Sequence, residues 1–412
     1  MNIYAVAIMI TLAAGFLLEL IASFLNMKNL KHAIPKELKG LYSEDKLIQS
    51  VNYSRVKIRF GIIMSAVNLI VILVFWHSGG FNYIDYAVTR WSDSPIIRGI
   101  LYIGVLSIFS SLVSLPFNLY SIFVIEEKFG FNKTTFKVFF ADMAKTIFLS
   151  VIIGGPLLAL ILWLFITAGE YAWLLGFGAV SIFTFVIQLL YPKIIMPLFN
   201  KFRPLENDEL NRAIHEYAAK VEFPVQNIYE MDGSKRSSKT NAFFTGFGKY
   251  KKVVLFDTLI QKHSIRELIS IFAHEVGHYK KKHILWGTVI SVIHTGFVFW
   301  LLSVFLSHSG LYEAFYMDKM EIYSGLLFFG LLYSPVELVL GLLLNIISRK
   351  NEFEADKFAA ETTNDPESMI SALKKLSEHN LSNLNPHWFY VFVNYSHPTM
   401  LQRIEKIKSL KL

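Results

Sequence analysis

Long apolar runs alternate with short polar stretches along most of this chain. Seven of the runs are long enough to cross a hydrocarbon core, which takes roughly 20 helical residues. They lie near Ile3–Phe24, Phe60–Trp76, Ile97–Ile122, Thr146–Ala168, Ala172–Tyr191, Ile284–Leu306 and Ile322–Ile347. The first lacks a basic start and a small-residue cleavage site, so it reads as a retained anchor and not a removed signal peptide. The pattern breaks once, between the fifth and sixth runs. Pro192-Lys193-Ile194-Ile195-Met196-Pro197 is expected to end the fifth helix there, since proline removes a backbone donor.

The polar stretch that follows changes period. Glu206–Lys220 has the spacing of an amphipathic helix, and Asn227–Met231 reads as a strand closed by an Asp232-Gly233 turn. Asn241–Thr245 and Lys252–Asp257 flank Gly246-Phe247-Gly248 and predict a hairpin. Ser264–Tyr279 returns to helical period, as do Arg349–Thr362 and Asp365–Glu378 in the tail. Four regions follow: a five-helix membrane block (1–197), a soluble insertion (198–283), spans six and seven (284–348) and a helical C-terminal part (349–412). The expected fold class is mainly α, a polytopic membrane protein with a small α+β domain.

Composition agrees. Apolar residues make up 53% of 412 and charged residues 17%. With no cysteine, disulfides, thiolate ligands and cysteine nucleophiles are excluded. The net charge of +8 is explained by basic loops of a membrane protein, and no nucleic-acid partner is expected. Lys28, Lys31, Lys36, Lys39, Lys46, Arg55 and Lys57 follow the first span, and Lys128, Lys133, Lys137 and Lys145 follow the third. The alternate connections hold Arg90 and Lys319 and little else. This asymmetry predicts the N-terminus outside and the C-terminus on the cytoplasmic side.

The chemistry enters at His274-Glu275-Val276-Gly277-His278. On a helix, i and i+4 share a face, so both imidazoles can reach one zinc ion, and Glu275 beside them can take a proton from water. A catalytic zinc needs a third protein ligand and an open position. Lys281 and Ile284 stand where a metzincin would have its Gly and third His, so that extension is absent. Spans six and seven form a hairpin that returns the chain to the same side at Asn351-Glu352-Phe353-Glu354-Ala355-Asp356. Glu352, Glu354 and Asp356 are the candidates. Glu352 and Asp356 share a face, so one can ligate while the other hydrogen-bonds a ligand His; Glu354 points roughly the opposite way. Asn241-Ala242-Phe243-Phe244 reads as an edge strand to which an extended peptide could add, or as simple hairpin packing. Mid-span His294 is expected to brace helix packing and Glu337 to line a wet interior, with Pro335 loosening the helix. Pro156 and Gly154-Gly155 mark another irregularity.

At these residues the chain resembles the integral-membrane zinc proteases of the CAAX prenyl protease 1 family. The likeness includes Met196–Lys201, Gly233–Ser238, Asn241–Phe244, Val254–Leu259, the histidine helix, Glu352–Asp356, and Tyr395-Ser-His-Pro398 with Arg403. The resemblance implies seven helices around a water-filled chamber closed by the zinc domain, and release of a C-terminal tripeptide near a prenylated cysteine. It implies one Zn2+ per chain on His274, His278 and Glu352, with Asp356 behind a ligand. It gives His397 and Arg403 catalytic roles beside the base Glu275, and Asn241 a hold on the substrate backbone, which the edge-strand reading extends to Ala242 and Phe243. Glu354 replaces the family's more usual Gln. Compact loops and an end without a retrieval signal suggest a bacterial inner membrane, against the endoplasmic reticulum of a eukaryotic member. The expected partners are the bilayer and a peptide or protein substrate, C-terminally prenylated or membrane-associated. Two rival readings are a zinc-binding transporter or receptor without proteolysis, against which the intact Glu275 speaks, and a protease of general membrane-protein turnover.

Overall fold

A computed structural model describes residues 2–30, 43–245 and 251–410. The basic residues Lys31, Lys36 and Lys39 and the Gly246-Phe247-Gly248 turn lie outside the described residues.

Among the described residues, seven helices have the length and apolarity to cross a membrane: Ile3–Lys28, Glu44–His77, Pro95–Glu126, Phe136–Thr167, Gly169–Phe199, His283–Phe305 and Ile322–Thr363. Few residues in any of them are buried against protein. A solid bundle would bury one face of each helix. Low burial on all sides is what a ring of helices around a hollow chamber gives, with lipid outside. A cavity of about 600 Å³ lies between the fifth and sixth spans, walled by Thr184, Gln188, Thr288 and Ser291 among others. It reaches Ile284, which also lines the metal pocket.

Every expected apolar run falls within its helix to within one residue, and several helices continue well past the run. Proline interrupts these helices less than expected. The fifth span runs through Pro192 by a π-helical stretch, Tyr191–Ile195, and ends only at Phe199. A second such stretch, Ser150–Gly154, precedes Gly155-Pro156, where irregularity was expected. A π turn absorbs the missing amide by resetting the hydrogen-bond period. In the seventh span Pro335 cannot donate to the Leu331 carbonyl; the Ser334 hydroxyl does so instead, at 2.7 Å. That helix therefore continues unbroken from the membrane into the acidic cluster, where two helices were expected.

Asn2 Nδ2 donates to the Gly310 carbonyl at 2.5 Å, which ties the N-terminus to the connection between spans six and seven. Around that connection Trp76, Phe81, Phe315 and Phe328 form a buried aromatic cluster, with Trp76 Nε1 donating to Ala314 O at 2.7 Å. The metal site lies at the other end of those spans.

The soluble part is built on a four-stranded sheet of order β1-β2-β4-β3: β1 Phe202–Pro204, β2 Val225–Met231, β3 Ala242–Thr245 and β4 Lys251–Phe256. β2 and β4 are parallel, and the other pairs are antiparallel. The β3–β4 hairpin has Phe243 opposite Val254. Strand β3 is an edge, as expected. The other edge, β1, gave no periodic signal, being three residues long and ending in Pro204, which only an edge tolerates. The helix Asp208–Lys220, the histidine helix Ile265–Lys280 and the tail helices Pro366–His379 and Met400–Lys408 pack with the sheet around one core, including Ile228, Val253, Phe272, Val276 and Ile404. Arg236 fastens this part to the membrane helices. It donates to Asp142 Oδ2 (2.8 Å), Asn200 Oδ1 (2.8 Å) and the Phe199 carbonyl (2.7 Å).

Candidate metal centre

The histidine helix begins in a capping box. Ser264 N donates to Glu267 Oε2 at 2.8 Å, and the Ser264 hydroxyl accepts from Glu267 N at 3.4 Å. Phe272, Ala273 and Val276 bury one face of the helix. His274 and His278 share the other, with Nε2 atoms 3.2 Å apart. Gly277 lets the seventh span pass close: a Cβ added there would stand 3.0 Å from Ala355 Cα. The same approach places Glu352 on the histidine pair. Its Oε1 is 3.2 Å from His278 Nε2, and its Oε2 is 3.4 Å from His274 Nε2. Ligand atoms of all three lie within 4.8 Å of one another.

The donor set suits a divalent metal. Glu352 is 4% exposed, and its Oε2 has no aligned donor although His397 Nδ1 is 3.0 Å away. A buried carboxylate oxygen facing two imidazole nitrogens is costly unless a cation occupies the space between them. His274 Nδ1 meets Asp356 Oδ1 at 2.8 Å, so its proton sits there and Nε2 turns a lone pair inward. Two nitrogens and one oxygen beside an open cavity are the kind of donor set that could hold a catalytic metal ion.

Asp356 is completely buried, and Arg403 holds it with two bonds: Nε to Oδ2 at 2.8 Å and Nη2 to Oδ1 at 2.6 Å. Arg403 Nη1 also stands 3.5 Å from Glu352 Oε2. Burial works against the guanidinium charge; Asp356 and Glu352 outweigh it and raise its pKa further. Arg403 thus braces the carboxylates behind the site. His397 is 64% exposed, on the turn before Met400–Lys408.

A cavity of about 380 Å³ opens on Glu275, His274, His278 and Glu352. Burial holds the Glu275 carboxyl above the usual carboxylate range, even against the two imidazoles beside it. Asn241, Ala242 and Phe243 form one wall, and Met369 and Leu373 an apolar part of another. The Asn241 carbonyl accepts from Phe256 N at 3.3 Å, so by alternation Ala242 turns its backbone to the open edge. Its N–H is held by Asn241 Oδ1 at 2.9 Å. Phe243 also packs edge-on against Phe256, so it serves the hairpin and the pocket together.

One residue, His283, joins the site without any signal in the sequence spacing, and it brings in Glu354, which faces away from the ligand candidates His274, His278 and Glu352. His283 Nδ1 is 3.1 Å from His278 Nδ1, and its Nε2 is 3.2 Å from Glu354 Oε2. Deep in the membrane, His294 Nε2 is 3.0 Å from Tyr333 Oη and 3.5 Å from Glu337 Oε1, so the two mid-span ionisable residues pair with each other.

Comparison with known proteins agrees with this geometry. Residues 23–201 match the family described as CAAX prenyl protease N-terminal, five membrane helices, and residues 204–411 match Peptidase family M48. The chain is 35% identical over 402 residues to CAAX prenyl protease 1 of Saccharomyces cerevisiae, covering 90% of this chain and 87% of that protein. It is 35% identical over 385 residues to a CAAX prenyl protease 1 homolog of Oryza sativa subsp. japonica, covering 91% and 90%. The crystal structure of S. mikatae Ste24p superposes with a TM-score of 0.92 at 34% identity, covering 99% of both chains. With its seven membrane-length helices and its histidine–glutamate cluster, the chain is a membrane-embedded metalloendopeptidase, and it belongs to peptidase family M48 with the five-helix N-terminal region of the CAAX prenyl proteases.

Proposed function

We propose that His274, His278 and Glu352 hold one zinc ion per chain, and that the enzyme cuts a peptide bond near the C-terminus of a prenylated or membrane-associated peptide. The observation that carries the ligand assignment is the convergence of these three side chains within 4.8 Å, although a membrane hairpin separates His278 from Glu352 in sequence. The names of the relatives, CAAX prenyl protease 1, support the substrate class.

Zinc held there supplies Lewis acidity, polarising the scissile carbonyl and lowering the pKa of a water towards about 7. Glu275 takes a proton from the attacking water onto its carboxylate and passes it to the nitrogen of the leaving amine. The upward push of burial on Glu275 brings its basicity nearer the working pH. The peptide lies extended along β3, bonding to the open edge of Ala242 in place of the Asn241 side chain, so its carbonyl is fixed over the site. His397, exposed beside Glu352, donates to that carbonyl oxygen as charge gathers on it. Arg403 and Asp356 keep His274 and Glu352 aimed. The lysine asymmetry between loops supports an orientation with the site on the cytoplasmic side.

The test is cleavage by wild type and Glu275→Gln, with zinc analysis of both. Full zinc content with lost cleavage is expected; equal cleavage would exclude Glu275 as the base. Matched farnesylated and unmodified peptides then address substrate class. Preference for the lipidated peptide is expected, and indifference would favour general membrane-protein turnover.

A further inference from the structure

We propose that His283 and Glu354 form a positioning arm that fixes the second zinc-binding histidine, His278, and thereby sets metal affinity. The proposal rests on the ligand assignment made above and extends it to residues with no assigned role.

To give Nε2 to a metal, neutral His278 must carry its proton on Nδ1, and that N–H needs an acceptor. His283 Nδ1 stands 3.1 Å away. It accepts only when its own proton sits on Nε2, and that nitrogen lies 3.2 Å from Glu354 Oε2. With Nε2 of His278 kept for a metal, one tautomer pair satisfies both contacts: His278 protonated on Nδ1 and His283 on Nε2, with Glu354 Oε2 accepting. Each ligand histidine then ends on a carboxylate. His274 reaches Asp356 directly, at 2.8 Å, and His278 reaches Glu354 through one intervening imidazole. Glu352, Glu354 and Asp356 all come from one helix, so ligand and braces move together.

The backbone is shaped for the contact. In an unbroken helix His283 would lie roughly 140° around the axis from His278, on a different face. The histidine helix instead stops at Lys280, and Lys282 takes a left-handed conformation, φ 59°. That turn folds the start of the sixth span back over His278. The His283 side chain is 8% exposed, whereas that of Glu354 is 40% exposed, with Lys350 Nζ 3.8 Å from its other oxygen. The arm thus runs from the ion outwards to the protein surface.

The experiment uses the full-length chain in detergent and measures zinc affinity by chelator competition and the thermal midpoint of the metal-free protein. His283→Phe is expected to weaken zinc binding about 10–100-fold, the usual cost of losing an orienting partner. Glu354→Leu should weaken it less. Glu354→Gln keeps an oxygen to accept from His283 and should stay near wild type. The double variant His283→Phe/Glu354→Leu should match His283→Phe alone, because the arm is already cut. Metal-free midpoints should stay level, which a merely structural role would not allow. Should His283→Phe fail to fold, the contrast between Glu354→Leu and Glu354→Gln decides alone. Wild-type affinity in His283→Phe, multiplying losses in the double variant, or equal losses in the two Glu354 variants would each overturn the arm. A wild-type chain that takes up no zinc would overturn the ligand assignment as well, so the two failures are distinguishable.

Discussion

Gly277→Ala tests how closely the two halves of the metal site must approach. The added methyl would stand 3.0 Å from Ala355 Cα, 3.1 Å from Ala355 O and 3.2 Å from Phe358 Cβ. Ordinary carbon contacts are about 3.5–4.0 Å. The obstacles are backbone atoms and a Cβ, so no side chain can rotate away, and the two helices must part by several tenths of an ångström. Overpacking of this kind costs about 1–3 kcal/mol. Alanine recovers about 1 kcal/mol of helix propensity over glycine. The metal-free protein should therefore lose at most about 2 kcal/mol. The metal is less forgiving. Ligand distances tolerate only about 0.2 Å, and Glu352 is one turn from Ala355. Zinc affinity should fall at least tenfold, a change of about 1.4 kcal/mol. The assay is chelator competition on purified wild type and variant, paired with thermal unfolding of the metal-free forms. Unchanged zinc affinity with a raised thermal midpoint would refute the reasoning, since only the propensity gain would then remain.

Three further outcomes are expected. Glu352→Ala should abolish stoichiometric zinc while Glu354→Ala keeps it at reduced affinity; metal analysis showing the reverse would overturn the ligand choice. Glu267 accepts from Lys375 Nζ (2.8 Å), Ser371 Oγ (2.6 Å) and Ser264 N (2.8 Å). Burial works to raise its pKa, and these donors outweigh it and hold it below the usual range. A depressed carboxylate stabilises only while ionised. Its contribution is present above the unfolded value near 4.3 and lost as pH falls through the folded one. Glu267→Gln should flatten that acid decline in thermal midpoint and cost about 2 kcal/mol near neutrality. Arg236→Lys should destabilise by about 1–3 kcal/mol, because one ammonium cannot serve Asp142, Asn200 and the Phe199 carbonyl together; calorimetry that finds no loss would remove Arg236 as a fastener.

The spans were legible because lipid demands long apolar helices, and hydropathy reports that demand directly. It does not report where a helix continues into water. The second helix starts at Glu44, well before the apolar run at Phe60, and the seventh continues past Ile347 to Thr363. Proline misled at Pro192, where a π-helical stretch carries the chain onward. The histidine pair was visible as an i, i+4 repeat, and membrane topology narrowed the third ligand to three acids. Spacing alone could not choose among them, because the choice depends on which face the long helix turns to Gly277. His283 was invisible for a similar reason. Five residues is no helical repeat, and lysine at 282 carries no preference for a left-handed turn.

The long seventh helix makes metal capture partly a property of the lipid. If the chain between His278 and Glu352 were a limp tether, joining its ends would cost about 4 kcal/mol of entropy, worth roughly a thousandfold in binding. Two stiff rods anchored in a bilayer leave no such slack to remove. The hairpin, with the close packing at Gly277, acts as the clasp of a chelate ring, holding the jaws at their working gap before any ion arrives. Solubilising agents that loosen the clasp should release zinc while every ligand is still intact, and titrating zinc affinity against acyl-chain length in reconstituted bilayers would reveal it.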